Sequence, residues 1–392
     1  MKLLRDIDVA NKRVLVRADF NVALDAVGRV LDDFRLRATL PTIQYLKEQG
    51  AKIILMAHLG RPQDSDKSEV ISDKFSLKPI AEKLSELLNQ EVKLAPDCVG
   101  EEVLKMVGQI KPGEILLLEN LRWHGEEEKN DADFAKQLAA LGDVYVNDAF
   151  GVCHRAHASV AAITECLPSC AGFLLAKEVV NLTRVRDNPD HPLVAIIGGA
   201  KISTKIKLIQ SFLNKAEDII LGGALANTML HAKGVAIGRS FVEIEILPEL
   251  KNLELTNTKI HLPVDAVLCE NQQGVGSFRI GAVGSTGEQE LILDIGPDSQ
   301  KLFALVVAQA KMIVWNGPMG LFEAKSFDGG TIAVAQAVIN SGAYSIVGGG
   351  ETVAFLAKLG FIDKFSFVST GGGAMMEFLS GEDLPGIVAL EK

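Results

Sequence analysis

Nine short apolar runs, set apart by turns and helical stretches, leave this 392-residue chain few folds to choose from. In the first half they are RVLV (13–16), KIILMA (52–57), EILLLE (114–119) and DVYV (143–146). In the second half they are PLVAII (192–197), DIIL (218–221), KMIVW (311–315), YSIV (344–347) and FSFV (365–368). Apolar runs of this kind, spaced by helical patterns, read as buried parallel strands of an α/β fold. The helices show between them. Residues 75–88 carry apolar positions at helical spacing, and 131–142 opens on acids and stops at Gly142. Residues 329–342 and 351–360 also end on glycine, the common helix terminator.

The chain is too long for one ordinary hydrophobic core, so two domains of under about 200 residues each are expected. The boundary falls in 171–191, where a helical pattern ends in Asp-Asn-Pro-Asp. That gives a first domain over 1–170, a helical hinge over 171–191 and a second domain over 192–377. A net charge of −10 without a basic run argues against nucleic acid or an anionic membrane as partner. No apolar run approaches the roughly 20 residues needed to span a bilayer. The start carries acids where a secretory leader would be apolar. Five cysteines without a CxxC pair read as reduced thiols in a cytoplasmic protein, with Cys153, Cys166 and Cys170 as small buried hydrophobes.

The two halves differ in the residues placed after their strands. The first half places charged and polar groups there: RADFN (17–21), HLGRP (58–62), ENLRWH (119–124) and NDAFGVCHR (147–155). The second half places glycines: GGAK (198–201), GGALAN (222–227), NGPMG (316–320), GGGET (348–352) and STGGGA (369–374). Ligands of open α/β sheets bind beyond the carboxyl ends of the strands. Glycine lets a backbone N–H approach a phosphate oxygen, and a helix starting at the turn adds its positive end. Neither the P-loop nor the dinucleotide fingerprint occurs, which disfavours a P-loop NTPase and a nicotinamide dehydrogenase. Lys201 and Lys205 lie four apart, which puts both on one face of a helix starting at the turn. That suits a triphosphate, although two solvated surface lysines have the same spacing. Glu351 beside bound phosphates would be repulsive unless Mg2+ lay between them. A place in a first helical turn accounts for it equally well, with Thr352 as hydroxyl donor or cap.

On the charged side, Arg35, His58, Arg61, Arg122 and Arg155 fall near strand ends, with Asp19 and Asn21 placed to hold hydroxyl groups. Arginine's planar fork binds phosphate and carboxylate at two points, so several of them suggest a small ligand with more than one negative charge. His124, His154 and His157 stand outside this set. An anionic substrate facing a nucleotide implies phosphoryl transfer after domain closure, which explains two domains and a hinge.

Taken together, these stretches resemble the phosphoglycerate kinase family over nearly the whole chain, through RADFN, HLGRP, LENLR, DAFG with HRAH, GGAKISTK, WNGPMGLFE, GGGET and STGGGA in order. The resemblance implies two Rossmann-like three-layer α/β domains with mainly parallel sheets, joined by a helical hinge. It implies a monomer that moves a phosphoryl group between 1,3-bisphosphoglycerate with ADP and 3-phosphoglycerate with ATP, using Mg2+. Asp19, Asn21, Arg35, His58, Leu59, Gly60, Arg61, Arg122 and Arg155 would hold the phosphoglycerate. Gly199, Ala200, Lys201, Lys205, Gly223, Asn316, Pro318, Glu323, Gly348, Gly349, Gly350, Glu351 and Thr352 would hold the nucleotide, with Glu351 on the metal side. Arg35 and Lys205 would stabilise the moving group, beside the N–H groups of Gly371 and Gly372. The tail, 378–392, would fold back onto the first domain.

Three positions depart from the family pattern: Ala23 for proline, Ala224 for a third glycine and Glu351 for aspartate. The last two bear on nucleotide preference and on metal use. Rival readings are an α/β kinase for another phosphorylated acid and a non-catalytic nucleotide-binding protein.

Overall fold

A computed structural model describes residues 1–62, 74–250 and 257–392. The chain divides into two compact units, 1–180 with 383–392, and 181–382.

The first unit is built on six strands: β1 (Arg13–Arg17), β2 (Lys52–Met56), β3 (Val92–Leu94), β4 (Ile115–Leu117), β5 (Val144–Asn147) and β6 (Ser169–Ala171). Their order is β3-β4-β2-β1-β5-β6, and every pairing is parallel. The central strands β1 and β2 are buried at all but their first residues, as their unbroken apolar runs require. Val14 pairs with both Ile53 and Val144, so the loops after β1, β2, β4 and β5 leave one end of the sheet. Helix Phe34–Glu48 buries Leu36, Ile43 and Leu46 in the core of this sheet. The short strands β3 and β6 have the sequences VKL and SCA, too brief and too mixed to stand out as apolar runs.

The second unit holds β7 (Leu193–Ile197), β8 (Asp218–Leu221), β9 (Ile260–His261), β10 (Asp265–Cys269), β11 (Phe278–Ala282), β12 (Leu291–Ile295), β13 (Met312–Asn316), β14 (Tyr344–Gly348) and β15 (Phe367–Val368). Six of them form a parallel sheet in the order β15-β14-β13-β7-β8-β9, around a core that includes Trp315, Phe303 and Val347. The other three form an antiparallel sheet, β11-β10-β12, which the reading of parallel strands did not anticipate.

The anticipated helices form as Lys78–Leu88, Ala132–Ala139, Gly329–Ser341 and Gly350–Lys358. Asp131 caps its helix by accepting from the N–H groups of Asp133 and Phe134, and Gly342 ends another in the left-handed conformation. Helix Phe173–Asp187 runs through residue 180, where the two units divide. The tail assigned to the first unit begins at 383 rather than 378. Phe378 and Leu379 are buried in the last turn of helix Gly372–Leu379, and Ser211 donates to the Leu379 carbonyl at 3.1 Å, which keeps 378–382 with the second unit. Beyond that point, the Gly386 N–H donates to the Cys153 carbonyl at 2.9 Å.

Candidate active site

The loops after β1, β2 and β5, the turn after β4 and the start of helix Phe34–Glu48 enclose a cavity of about 280 Å3 in the first unit. Asp19, Asn21, Arg35, His58, Gly60, Arg61, Arg122 and Arg155 all line it. Gly151, Val152 and His154 line it too, and of these only His154 was legible as a chemical group in the sequence. Leu59 does not. It is buried, and both its backbone groups bond the Asn120 side chain (3.3 and 2.8 Å), so it supports the loop rather than facing the cavity.

Side chains tie these loops to one another. Arg35 donates to Asp19 Oδ2 at 2.7 Å and to the Asn21 carbonyl at 3.1 Å. Asn21 Oδ1 accepts from the Gly60 N–H at 2.9 Å, and Arg122 donates to the Gly60 carbonyl at 2.7 Å. The four cavity arginines therefore face one carboxylate on the cavity wall, Asp19, with Glu128 at 3.1 Å from Arg122 Nε.

The histidines carry no comparable charge. His58 is held well below the usual imidazole range, first by burial and then by Arg17, Arg122 and Arg35. Burial and Arg17 likewise push buried His157 down to about 3. Arg17 Nη2 lies 3.2 Å from His58 Nδ1. A guanidinium can only donate, so Nδ1 accepts, and the ring proton of neutral His58 sits on Nε2. Beneath them, Arg17 Nε donates to Ser159 Oγ at 2.8 Å. That hydroxyl donates to Glu127 Oε1 at 2.5 Å, and the Ser159 N–H donates to Oε2 at 2.9 Å. Fully buried Glu127 thus counters the charge of fully buried Arg17.

In the second unit, the loops after β7, β13, β14 and β15 enclose a polar cavity of about 240 Å3. It is lined by Gly199, Ala200, Lys201, Lys205, Asn316, Pro318, Gly349, Gly350, Glu351, Thr352 and Gly372, with Thr204, Gly373 and Met376 added. A larger, mainly apolar cavity of about 440 Å3 adjoins it through Gly199, Ala200, Pro318 and Glu351, and contains Gly223, Ala224 and Glu323. Arg239, Phe241 and Gln272 also line that cavity, and nothing in their sequence context marked them.

The two lysines do not share a helical face. The helix begins at Ile206 with Lys205 as its N-cap residue, and Lys201 lies in the preceding irregular stretch. Lys201 is exposed, whereas Lys205 is buried and donates to the Gly198 carbonyl at 2.5 Å and the Asn316 carbonyl at 3.4 Å. Burial lowers the Lys205 pKa to about 8, against a smaller opposing pull from Glu351. Glu351 is exposed in the first turn of its helix and reaches both cavities. Buried Thr352 Oγ1 and Asn316 Nδ2 have no hydrogen-bond partner. Both residues line the polar cavity, where a ligand would supply partners.

The glycines serve two purposes that the sequence does not separate. A Cβ on Gly223 (φ +66°) would sit 2.7 Å from the Gly199 backbone and 2.9 Å from the Pro318 carbonyl, so this residue lets three strand-end turns pack backbone to backbone. Gly348 faces Met375 rather than a cavity, where a Cβ would come 2.3 Å from the sulfur. By contrast, a Cβ on Gly350 would meet nothing within 4 Å. Gly371 is the N-cap of its helix and does not line the cavity. Its N–H is committed to Ser369 Oγ at 3.1 Å, leaving Gly372 and Gly373 as the glycines of this turn on the cavity wall.

A sequence model of the phosphoglycerate kinase family matches residues 4–382. The chain is 49% identical over 391 residues to the phosphoglycerate kinase of Moorella thermoacetica, covering 99% of this chain and 98% of that one. It is 46% identical over 397 residues to the cytosolic phosphoglycerate kinase of Triticum aestivum, covering 99% and 98%. Among solved structures, the phosphoglycerate kinase of Coxiella burnetii is similar with a TM-score of 0.83 at 40% identity, covering 99% of this chain and 98% of that chain. That of Pyrococcus horikoshii is similar with a TM-score of 0.87 at 33% identity, covering 100% and 98%.

Proposed function

The chain belongs to the phosphoglycerate kinase family, and on that premise we propose how its residues share the transfer of a phosphoryl group between 1,3-bisphosphoglycerate and ADP. The reaction is glycolytic and runs reversibly to 3-phosphoglycerate and ATP. The observation that carries the assignment of roles is the contrast between the two polar cavities. One is walled by guanidinium groups, and the other by open backbone, a buried ammonium and two unpartnered polar side chains.

The phosphoglycerate binds among Arg35, Arg61, Arg122 and Arg155, whose forks match its phosphate and carboxylate. His58 adds an Nε2–H donor without adding charge. Asp19 and Asn21 hold its hydroxyl group and keep Arg35 in place. The nucleotide phosphates lie against Gly199, Ala200, Lys201, Lys205, Gly349 and Gly350, and the nucleoside enters the larger apolar cavity beside Pro318, Gly223 and Glu323. Phosphoryl transfer needs in-line placement and charge neutralisation rather than covalent catalysis, so Arg35, Lys205 and the Gly372 N–H act on the moving group. Hinge-bending closure excludes water while it moves.

The exposed carboxylate of Glu351, beside a cavity that already holds a lysine and two unpartnered polar groups, fits a magnesium–nucleotide complex. Bound there, the ion would neutralise phosphate charge, with Glu351 as the protein's carboxylate on its side. The family supports a monomer, and the sparse cysteines without a CxxC pair support the cytoplasm; among the described residues no helix is long and apolar enough to cross a membrane.

The test is ADP formation from Mg-ATP with and without 3-phosphoglycerate, the product being drained by a coupled dehydrogenase. Turnover is expected only when both are present. ATP binding without turnover under those conditions would overturn the assignment of the cationic cavity.

A further inference from the structure

We propose that Asp97, Cys98 and His124, in the first unit and outside the cavity described above, form a binding site for a thiophilic divalent cation of the zinc type. Asp97 and Cys98 lie in the loop after β3, and His124 closes the short helical turn Leu121–Trp123 after β4. These strands are parallel neighbours, which brings their following loops to one end of the sheet. Backbone bonds join the loops: the Ala95 N–H donates to the Leu117 carbonyl at 2.8 Å, and the Glu119 N–H to the Asp97 carbonyl at 3.3 Å. One carboxylate oxygen, the thiol sulfur and one imidazole nitrogen all lie within 4.8 Å of one another.

The donor set is one oxygen, one sulfur and one nitrogen, which suits zinc and is poor for magnesium or calcium. Asp97 Oδ1 already draws the group together, accepting from the Cys98 N–H at 2.6 Å and lying 2.7 Å from His124 Nε2. The His124 ring is stacked on Phe134, with centroids 5.3 Å apart, which fixes its plane. Cys98 is fully buried, while Asp97 and His124 are half-buried, so the open side can supply a water as fourth ligand. Metal–ligand bonds of about 2.0–2.3 Å in a tetrahedron put donors roughly 3.3–3.8 Å apart. The aspartate–histidine contact would open by about half an ångström, and the other separations, all within 4.8 Å, would close by at most about 1.3 Å.

Binding is a proton exchange. The cation replaces the proton of the Cys98 thiol, forming a metal–sulfur bond and releasing one H+ to solvent. His124 Nε2, 2.7 Å from Asp97 Oδ1, carries the proton of that hydrogen bond. On binding, Nε2 gives this proton up and Nδ1 holds one, so the ring enters as neutral imidazole, and a ring that was cationic beforehand releases a second H+ to solvent. No oxidant or reductant takes part.

The experiment is a Co2+ titration of the nucleotide-free protein, followed by the sulfur-to-cobalt charge-transfer band and the ligand-field bands of tetrahedral cobalt. One equivalent is expected to produce both, with release of about one to two protons, one from the Cys98 thiol and up to one from His124. Zn2+ should displace the cobalt, and a large excess of Mg2+ should not. Cys98→Ser should abolish the charge-transfer band, and His124→Gln and Asp97→Asn should each weaken Co2+ binding at least tenfold. His124 is partly exposed, so its variant serves if the buried Cys98 substitution fails to fold. No charge-transfer band in the wild-type protein overturns the proposal. So does a band retained in Cys98→Ser, which would assign the binding to another cysteine, or unchanged affinity in His124→Gln.

Discussion

Nucleotide binding should draw a proton from solvent, and the burial of Lys205 sets the amount. Its ammonium is shielded from water and offered two carbonyls, Gly198 and Asn316, which lowers its pKa to about 8. An incoming phosphate supplies the charge that burial withholds, returning the group toward the ordinary lysine value of about 10.4. The free protein then holds the lysine about one-tenth neutral at pH 7, half neutral at pH 8 and nine-tenths neutral at pH 9. Binding should take up about 0.1, 0.5 and 0.9 of a proton at these three pH values, and affinity should fall toward tenfold per unit above pH 8. The assay is calorimetric titration of Mg-ADP in buffers of different ionisation enthalpy, where the slope of observed enthalpy gives the proton count. Working at pH 8 and above keeps the nucleotide's own phosphates ionised throughout. Lys205→Arg keeps a charge that cannot titrate in this range, so its uptake should vanish. Uptake near zero at pH 9 in the wild type, or the same uptake in Lys205→Arg, would refute the reasoning.

Other consequences can be checked separately. Lys205→Ala should weaken Mg-ADP binding at pH 7 by up to about 250-fold, the factor that a pKa rise from about 8 to about 10.4 implies, and should lower kcat by a further ~10²- to 10³-fold, as loss of one preorganised donor does; an unchanged kcat would make Lys205 an anchor only. Glu351→Asp should retain turnover and change the magnesium concentration at half-saturation, because shortening the side chain moves the carboxylate relative to the metal; an identical metal titration would count against Glu351 as the metal-side acid. His58 should show the Nε2–H tautomer in nitrogen-15 spectra with no change between pH 5.5 and 8, and a titrating ring would contradict the Arg17 contact. Asp148 accepts from the Leu174 and Leu175 N–H groups, and burial raises its pKa to about 7. The folded state therefore keeps a proton that the unfolded chain releases near pH 4. Relative to Asp148→Asn, the wild type should lose stability as pH rises from about 4 to about 7, measured by urea unfolding across that range.

What could be read beforehand divides along physical lines. The strands buried on both faces announced themselves as unbroken apolar runs, and parallel pairing then brought Arg122, Arg155 and His58 to one cavity although they are distant in sequence. The antiparallel sheet escaped because its strands DAVLC, FRIGA and LILDI are joined by eight-residue loops rather than helices, and β11 is largely exposed. The helix expected after GGAK was misplaced for a similar reason. Ile202, Ile206 and Ile209 keep helical spacing and are all buried, but Ile202 achieves this from a turn. Glycine runs gave the position of the turns and not their purpose. Gly348 and Gly350 stand two residues apart, one closed over by Met375 and the other open.

Protonation state is where sequence reading had least to offer, and it separates the two polar cavities most sharply. Histidine and lysine both read as cationic groups when only their letters are known. In the first unit, guanidinium charge is permanent, and it is strong enough with burial to keep His58 and His157 neutral. In the second, the one buried cation lining the polar cavity is a lysine, whose charge weakens as pH passes about 8 and is restored by a ligand's phosphates. The protein's own titration should therefore leave phosphoglycerate binding unaffected from pH 7 to 9 while nucleotide binding weakens. Arginine at position 205 would make both sides permanent. Its larger, planar head has no room beside Gly199 and Gly317, where the lysine nitrogen already lies 3.1 and 2.5 Å from where a Cβ would stand. Lys205→Arg should accordingly remove the pH dependence and weaken nucleotide binding at pH 7, so that a titratable charge at this position is the consequence of a site too tight for a permanent one.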